Sequence, residues 1–133
     1  MQNKKLNINP SCKGEESGSV RELMDRIGDT WSMIILANLY HAPNRRARFS
    51  ELEKMIAGVS QRMLSLTLKS LERDGLIKRE VFPEVPPRVK YELTDLGESI
   101  LYPLQAIIDW VLENFNQINE ARIKYDQSAK KNG

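Results

Sequence analysis

The sequence predicts a mainly α-helical domain with a small β-hairpin, which is an α+β class. Apolar residues recur at helical spacing in four consecutive segments within residues 19–74. Two short alternating segments then flank a proline-rich stretch, and a long helical pattern fills the last third of the chain. The 133 residues, of which 41% are hydrophobic, can bury one core. Single domains usually contain about 100–150 residues.

The chain begins with a polar segment and a first helix. Residues 1–18 show no apolar period, and we expect them to form a flexible tail. Ser19 is followed by Glu22 at the spacing of a capping box, which predicts that a helix begins there. Apolar residues continue at helical spacing to Ile27, and Gly28 can end the helix.

A second helix is predicted over residues 31–40, with Asp29 or Thr30 as its cap. This segment is apolar on nearly every side, so we expect it to be the central helix of the core. Pro43 ends the helical pattern, and the basic segment over residues 45–49 can form a short strand.

Two further helices are joined by a tight turn. The third is predicted over residues 51–56, after a cap at Ser50. The fourth is predicted over residues 61–74, after a cap at Ser60. A glycine follows it at the usual position for a helix end. The apolar residues of the fourth helix share one face, which we expect to be buried: Leu64, Leu68 and Leu71.

The spacing of apolar residues then changes from helical to alternating, which predicts a β-hairpin. Its strands are expected over residues 76–82 and 88–93. The connecting residues 83–87 contain three prolines and must form a stiff loop rather than a central strand. The apolar residues of the second strand share one face: Val89, Tyr91 and Leu93.

A last helical region is predicted over residues 96–127, with Thr94 as its cap and a kink or break at Pro103. Residues 128–133 are polar and are expected to fray. The region has two apolar stripes, although packing on one small domain needs only one. We expect the second stripe to pair with another copy in a homodimer; the alternative is deeper burial in a monomer. The predicted interface residues are Leu101, Leu104, Ile108, Val111, Leu112 and Phe115.

The order of these elements is that of a winged helix-turn-helix. Helix, helix, short strand, helix, turn, helix and hairpin follow one another within residues 19–95. In this fold the third helix supports the fourth, which presents its polar face to the major groove of DNA, and the hairpin lies beside it. We therefore expect a DNA-binding domain over residues 19–95 and a dimerisation region over residues 96–127.

Charge and residue type indicate which side chains would contact DNA. Residues 43–90 contain eleven basic and six acidic residues, although the whole chain has a net charge of only +2. Gln and Arg suit base edges, and other basic residues suit phosphates. The alternative for each residue is a solvated side chain without a ligand. The predicted DNA-binding residues are Ser60, Gln61, Arg62, Ser65 and Lys69 on the fourth helix, Arg46 and Arg48 before the third helix, and Arg88 and Lys90 on the hairpin.

Several functional classes lack the residues that they require. His41 is the only histidine and Cys12 the only cysteine, so we expect no metal site, no cofactor and no intramolecular disulfide. The sequence contains no phosphate-binding glycine loop or nucleophile motif, and we predict that it is not an enzyme. No apolar run reaches the ~18 residues of a membrane span. The N-terminus does not resemble a signal peptide, so we expect a cytoplasmic protein without a membrane partner.

Several ordered motifs point to one family. They are DRIGDTWS at residues 25–32, RFSEL at residues 48–52, GVSQRMLSLTL at residues 58–68, LERDGLI at residues 71–77 and VPPRVKYELTDLG at residues 85–97. Together they resemble the HxlR-type bacterial transcriptional regulators, relatives of the MarR-like winged-helix proteins. The resemblance implies a cytoplasmic homodimer that binds operator DNA and represses or activates nearby genes.

The resemblance extends over about residues 19–115 and also implies a signal. Some members sense electrophiles or oxidants through a cysteine followed by proline just before the first helix. Gly18 and Ser19 stand at those places in this chain. Cys12 lies further upstream, so redox sensing through Cys12 is one hypothesis and a tail thiol without a role is the other.

Two further hypotheses stay open. A winged helix can bind a protein partner instead of DNA, and a hydrophobic interface would depend on salt much less steeply than DNA binding does. A small-molecule effector could bind between the second helix and the C-terminal region; the alternative is that the same residues are plain core. The residues expected to line that pocket are Trp31, Ile35, Leu104, Ile108 and Trp110.

Overall fold

The computed structural model describes residues 17–132 and confirms the winged helix-turn-helix. Its elements are α1 (Ser17–Gly28), α2 (Thr30–His41), β1 (Arg46–Arg48), α3 (Phe49–Met55), α4 (Gln61–Arg73), β2 (Ile77–Phe82), β3 (Arg88–Leu93) and α5 (Asp95–Asn132). The strands form one antiparallel sheet in the order β1-β3-β2. The short basic segment therefore adds a third strand to the predicted hairpin.

α2 is the central helix of the core, as its apolar sequence predicts. Ile35, Leu36 and Leu39 have no solvent-exposed surface. Ser32 is also buried, and its hydroxyl donates a hydrogen bond to the Asp29 carboxylate (2.7 Å), which satisfies this buried polar group. Burial of each large aliphatic side chain stabilises the fold by roughly 1.5–3 kcal/mol. The residues that pack around α2 include Leu52, Leu64, Leu68, Leu71, Leu76, Ile77 and Leu93.

One junction joins α4, β2 and α5. The Thr94 hydroxyl has one proton, which the carbonyl oxygens of Gly75 (2.7 Å) and Leu76 (2.9 Å) share, and its oxygen accepts a hydrogen bond from the Gly97 amide (3.0 Å). Thr94 therefore caps α5, as predicted, and also ties the start of α5 to the residues before β2. Gly97 lies so close to them that a β-carbon at its position would be 2.0 Å from the Leu76 carbonyl oxygen.

α1 begins earlier than the sequence predicts. It begins at Ser17 rather than after a cap at Ser19, so Gly18 belongs to the helix and not to the tail. The rest of the predicted tail, with Cys12, lies outside the described residues.

α3 also begins earlier than predicted. Its first residue is Phe49, and the residue before the helix is Arg48, whereas the sequence predicts a cap at Ser50. The Glu51 carboxylate accepts a hydrogen bond from the Arg48 amide (2.9 Å). This contact satisfies an amide at the helix start and so makes Arg48 the capping position.

α5 is one continuous helix. The sequence predicts a kink or break at Pro103 and fraying from residue 128; the break and the fraying are wrong, because one helix extends over Asp95–Asn132. Pro103 has no amide proton, so the helix lacks one backbone hydrogen bond at this position and continues past it. Lys130 and Lys131 lie in the last turn, where cations interact favourably with the helix C-terminus. Within residues 17–132, no helix combines the length and the apolar character of a membrane span.

The close contact at Gly97 predicts that alanine at this position destabilises the fold, although alanine favours helix formation. Alanine is favoured over glycine within a helix by about 1 kcal/mol. We nevertheless expect Gly97→Ala to lower the free energy of unfolding by roughly 1–3 kcal/mol in urea denaturation, because its β-carbon would overlap the Leu76 carbonyl oxygen. Gly28→Ala is the control and should not destabilise, because a β-carbon there meets nothing within 4 Å. Wild-type stability of Gly97→Ala would contradict the close contact.

Candidate nucleic-acid interface

α4 has one buried face and one exposed face. Leu64, Leu68 and Leu71 are buried in the core. Thr67 is buried beside them, and its hydroxyl donates to the Met63 carbonyl oxygen (2.7 Å). Because helical residues three and four apart share a face, the burial of these residues determines which others point outward. The polar face of α4 is thereby held in one direction relative to the core.

The start of α4 is positioned by a cap and by the turn before it. The Ser60 hydroxyl accepts a hydrogen bond from the Met63 amide (3.0 Å), which confirms the predicted cap. Gly58, in the turn between α3 and α4, has a φ of 85°, a left-handed conformation that glycine adopts without strain. Ser60 and Gln61 are exposed, so the N-terminus of α4 lies at the surface.

Four of the nine residues predicted to contact DNA lie on α4, and a fifth, Ser60, is its cap. Gln61 and Arg62 are exposed in the first turn, and Lys69 is exposed two turns later. Ser65 is half-buried and borders a cleft between α4 and the sheet. Arg62 forms no ion pair with any side chain that the structure describes. Its guanidinium is therefore available to a ligand.

Arg48 lies in front of α3, next to the loop of the hairpin. Its guanidinium forms an exposed ion pair with Glu51 (3.3 Å). The pKa of Glu51 is lowered because its carboxylate accepts hydrogen bonds from the amide and the guanidinium of Arg48. Arg48 also borders a cleft of about 390 Å³ together with residues 84–89. Its cation and the tip of the hairpin therefore share one surface.

The register of the hairpin separates its side chains onto two faces. Residues directly opposite each other in an antiparallel pair share a face. Arg79 lies opposite Tyr91 and Val81 lies opposite Val89, and these four residues share the inner face with the buried Ile77. The alternate residues point to the outer face: Lys78, Glu80, Phe82, Arg88, Lys90 and Glu92.

Arg46 is an ion-pair partner within the sheet. Its guanidinium contacts the carboxylates of Glu80 on β2 and Glu92 on β3, the latter at 3.1 Å. Lys78 contacts the same Glu92 (3.3 Å). Arg46 thus links all three strands, and the two carboxylates neutralise its charge. The sequence predicts a phosphate contact for Arg46, whereas the geometry favours a role in joining the strands.

Three cations lie close to the ring of Phe82 on the outer face of the sheet. The Arg88 guanidinium lies 4.9 Å from the centre of its ring, the Arg46 guanidinium 5.9 Å and the Lys90 ammonium 6.0 Å. Cations are attracted to the face of an aromatic ring at such distances. Arg88 also forms an ion pair with Glu84 (3.1 Å). Arg88 and Lys90, both predicted to bind DNA, therefore lie on the face of the sheet that points away from α4.

A cleft of about 320 Å³ lies between α4 and the inner face of the sheet. Three of its residues, Glu72, Arg79 and Tyr91, are not among the DNA contacts predicted from the sequence. The alternation of Ile77, Arg79 and Val81 is the signal that places Arg79 on the inner face. The residues that line the cleft are Ser65, Lys69, Glu72, Arg79 and Tyr91.

The residues predicted to form a dimer interface divide into two groups. Leu101 and Leu104 pack against the core of their own chain. The others are exposed, Leu112 to 72%. Contiguous apolar surface of this kind marks interaction sites on soluble proteins. The exposed large apolar residues in this part of α5 are Ile107, Ile108, Trp110, Val111, Leu112 and Phe115.

A pocket of about 340 Å³ lies between α2 and α5. Leu104 and Ile108, two of the residues predicted to line an effector pocket, border it. Ile35 is fully buried and Trp31 packs against the core, which favours the core alternative for both. Trp110 is exposed and does not border this pocket. The polar side chains at the pocket are Tyr40, His41, Glu98, Tyr102 and Gln105.

Sequence and structure comparisons give one consistent result. The family model described as HxlR-like helix-turn-helix matches residues 26–119. The HTH-type transcriptional regulator YdeP of Bacillus subtilis is 41% identical over 110 residues, which are 83% of this chain and 84% of YdeP. The structure of ytfH from Salmonella typhimurium, described as a transcriptional regulator, has 37% identity and a TM-score of 0.65 over 77% of this chain and 89% of that chain. The redox regulator HypR in its reduced form has 33% identity and a TM-score of 0.62 over 77% and 98%.

The contrast between Arg46 and Arg48 predicts different effects of removing each charge. We expect Arg46→Met to lower the free energy of unfolding by about 1–2 kcal/mol, because it breaks ion pairs that join three strands. Arg48→Met should change it by less than about 0.5 kcal/mol, because its pair with Glu51 is local and exposed. Urea denaturation of both variants measures the difference, and equal losses would contradict the role assigned to Arg46.

Proposed function

The chain belongs to the HxlR-like helix-turn-helix family, and we propose that it binds operator DNA near its target genes as a homodimer. Members of this family are transcriptional regulators rather than enzymes. The observation that carries the proposal is the exposed polar face of α4, with its capped N-terminus and the available guanidinium of Arg62. The major groove of DNA is wide enough to admit one such helix.

α4 would enter the major groove with its first turn foremost. Gln61 can form two hydrogen bonds with an adenine edge, and Arg62 can donate two to O6 and N7 of guanine. Each such pair discriminates against a wrong base by about 1–3 kcal/mol. The hydroxyls of Ser60 and Ser65 are further donors beside these two residues, and Lys69 is placed to contact the DNA backbone.

Exposed cations near the hairpin tip would position the protein on the DNA backbone. Arg48 and Arg88 border one cleft, and each is held by a carboxylate, Glu51 and Glu84 respectively. A DNA phosphate would replace the carboxylate as the partner of each guanidinium. Such contacts set the register of the protein on the duplex but do not read its sequence.

The homodimer is proposed from the exposed apolar residues of α5. Leaving apolar surface in water costs roughly 25 cal/mol per Å². A second copy related by a twofold axis would bury this surface with the same residues from both chains. Two copies would also present two α4 helices to half-sites about 34–36 Å apart, which is one turn of DNA. Leu101 and Leu104 would support the interface from the core.

A signal that controls DNA binding is the second part of the proposal. Similarity to HypR, a redox regulator, supports a redox signal, and Cys12 is the cysteine that could receive it. The pocket between α2 and α5 supports a small-molecule effector instead. A Cys12-linked dimer formed under mild oxidant would support the redox signal, whereas an unchanged oxidant response of Cys12→Ser would exclude it. We place the protein in the cytoplasm, where operator DNA is accessible.

If the protein binds operator DNA, its affinity should depend steeply on salt concentration and on the presence of Arg62. We expect tight binding to the DNA that flanks the protein's own gene, with an affinity that falls as salt rises because counterions are released. Arg62→Ala should weaken this binding by about tenfold or more, through loss of a base contact. Arg122→Ala, which removes the same charge from the exposed surface of α5, is the control. Fluorescence anisotropy across a salt series measures all three proteins.

Either of two results would contradict this prediction. If Arg62→Ala and Arg122→Ala bind as the wild type does, α4 does not read the bases. If the wild type binds this DNA weakly at every salt concentration and without sequence preference, then the operator lies elsewhere, binding needs an effector, or the winged helix has a protein partner instead.

If the exposed apolar residues of α5 form the dimer interface, a charge placed among them should separate the two copies. Leu112→Glu would place a carboxylate in the buried interface, where it has no partner, and we expect a monomer in sedimentation velocity. Val85→Glu, at the fully exposed tip of the hairpin, is the control and should stay a dimer. A Leu112→Glu variant that sediments as the wild type does would place the interface elsewhere.

A further inference from the structure

We propose that the cleft between α4 and β2 is a binding site for one phosphate of the DNA backbone, with Lys69 and Arg79 as its cations. This inference deepens the proposed function and rests on it. It adds to the α4 contacts a strand residue, Arg79, that holds the DNA backbone beside the helix.

The geometry brings the two cations to one cleft from different elements. Ser65, Lys69 and Glu72 lie at spacings of four and three residues, so they share one face of α4. Arg79 and Tyr91 lie opposite each other on the inner face of the sheet, across the cleft from them. The cleft, of about 320 Å³, is large enough to hold a phosphate group.

The two cations are not neutralised by the protein itself. Within residues 17–132, neither Lys69 nor Arg79 lies within ion-pair distance of a carboxylate. Three neighbouring cations do have such partners, with Arg73 on Glu22, Lys78 on Glu92 and Arg88 on Glu84. Two cations that border one cleft without ion-pair partners repel each other, and an anion between them would relieve this repulsion.

The donor set matches the oxygens of a phosphodiester. A guanidinium can donate two parallel hydrogen bonds to the free oxygens of a phosphate, and an ammonium adds a third charged donor. The hydroxyls of Ser65 and Tyr91 are neutral donors at the same cleft. Glu72 is the one carboxylate among the lining residues, and its charge opposes an anion there. Its removal should therefore strengthen binding.

The position of the cleft favours DNA as the source of the phosphate. Ser65 borders the cleft and lies one turn after Gln61 on α4, so the site adjoins the face that would read bases. A backbone phosphate held there would set the depth of α4 in the groove. A free phosphate ion is the other source of the same chemistry, and the experiment separates the two.

The test uses two neighbouring basic residues on opposite faces of one strand. Arg79 points into the cleft, whereas Lys78 points to the outer face and contacts Glu92. We expect Arg79→Ala to weaken binding to the DNA that flanks the gene by about tenfold, and to reduce the slope of log affinity against log salt by about 0.9. Lys78→Ala should change affinity by about twofold or less, and its slope should be that of the wild type.

Two further variants separate a contact from a general effect of charge. Arg79→Lys keeps the cation and should keep the wild-type salt slope while losing part of the affinity, because an ammonium cannot bind two oxygens in parallel. Glu72→Gln should tighten DNA binding by about twofold or more. Thermal unfolding of all variants should show that they are folded, since Lys78 and Arg79 are exposed.

Each outcome decides between separate claims. If the wild type does not bind DNA, the proposed function fails and this site fails with it. If the wild type binds DNA but Arg79→Ala and Lys78→Ala have equal affinities and slopes, the proposed function stands and the cleft is not a phosphate site. Micromolar binding of inorganic phosphate at constant ionic strength, abolished by Arg79→Ala, would identify a site for a free anion and overturn the assignment to DNA.

Discussion

The burial of one face of α4 is the constraint on which the rest of the interface depends. Leu64, Leu68 and Leu71 lie in the core, and their removal from water stabilises the fold by several kcal/mol in total, at roughly 1.5–3 kcal/mol each. Rotating the helix by a single residue, about 100°, would expose them. The direction of Arg62 is therefore set by hydrophobic burial elsewhere on its own helix. The cap at Ser60 adds the second condition, because it determines where the exposed end begins.

The register of the sheet determines which face of the hairpin each side chain lies on, as burial does for α4. On its outer face, carboxylates and the ring of Phe82 hold the cations, and Arg46 links three strands through its carboxylate partners. On its inner face, Arg79 and Lys69 border one cleft and form no ion pair within residues 17–132, although the Glu72 carboxylate lies at the same cleft. The net charge of the hairpin thus says little about DNA binding, because cations of equal charge differ in whether the protein already neutralises them. The arrangement favours the inner face as the side that continues the surface of α4.

Much of this fold could be predicted from local sequence, because the signals agree. Ser60 at the start of α4 and the leucines on one of its faces indicate the same helix from a cap and from periodicity. The pairing of charges could not be predicted in this way, since the partners of Arg46 come from strands more than 30 residues away in the chain. Arg79 is absent from the predicted DNA contacts, although its alternation with Ile77 and Val81 in the sequence indicates that it shares their face of β2. Pro103 shows the opposite error, since an exposed proline does not have to end a helix.

The most direct test is an NMR titration of the ¹⁵N-labelled protein with the DNA duplex that flanks its gene, recorded at low and high salt. We expect the largest amide shifts in the first two turns of α4 and around Arg79, and smaller shifts at residues 84–88. All of these shifts should fade as salt rises. The distal half of α5 should be unaffected. Shifts confined to α5, or shifts that persist unchanged at high salt, would show that the polar face of α4 is not the surface that binds DNA.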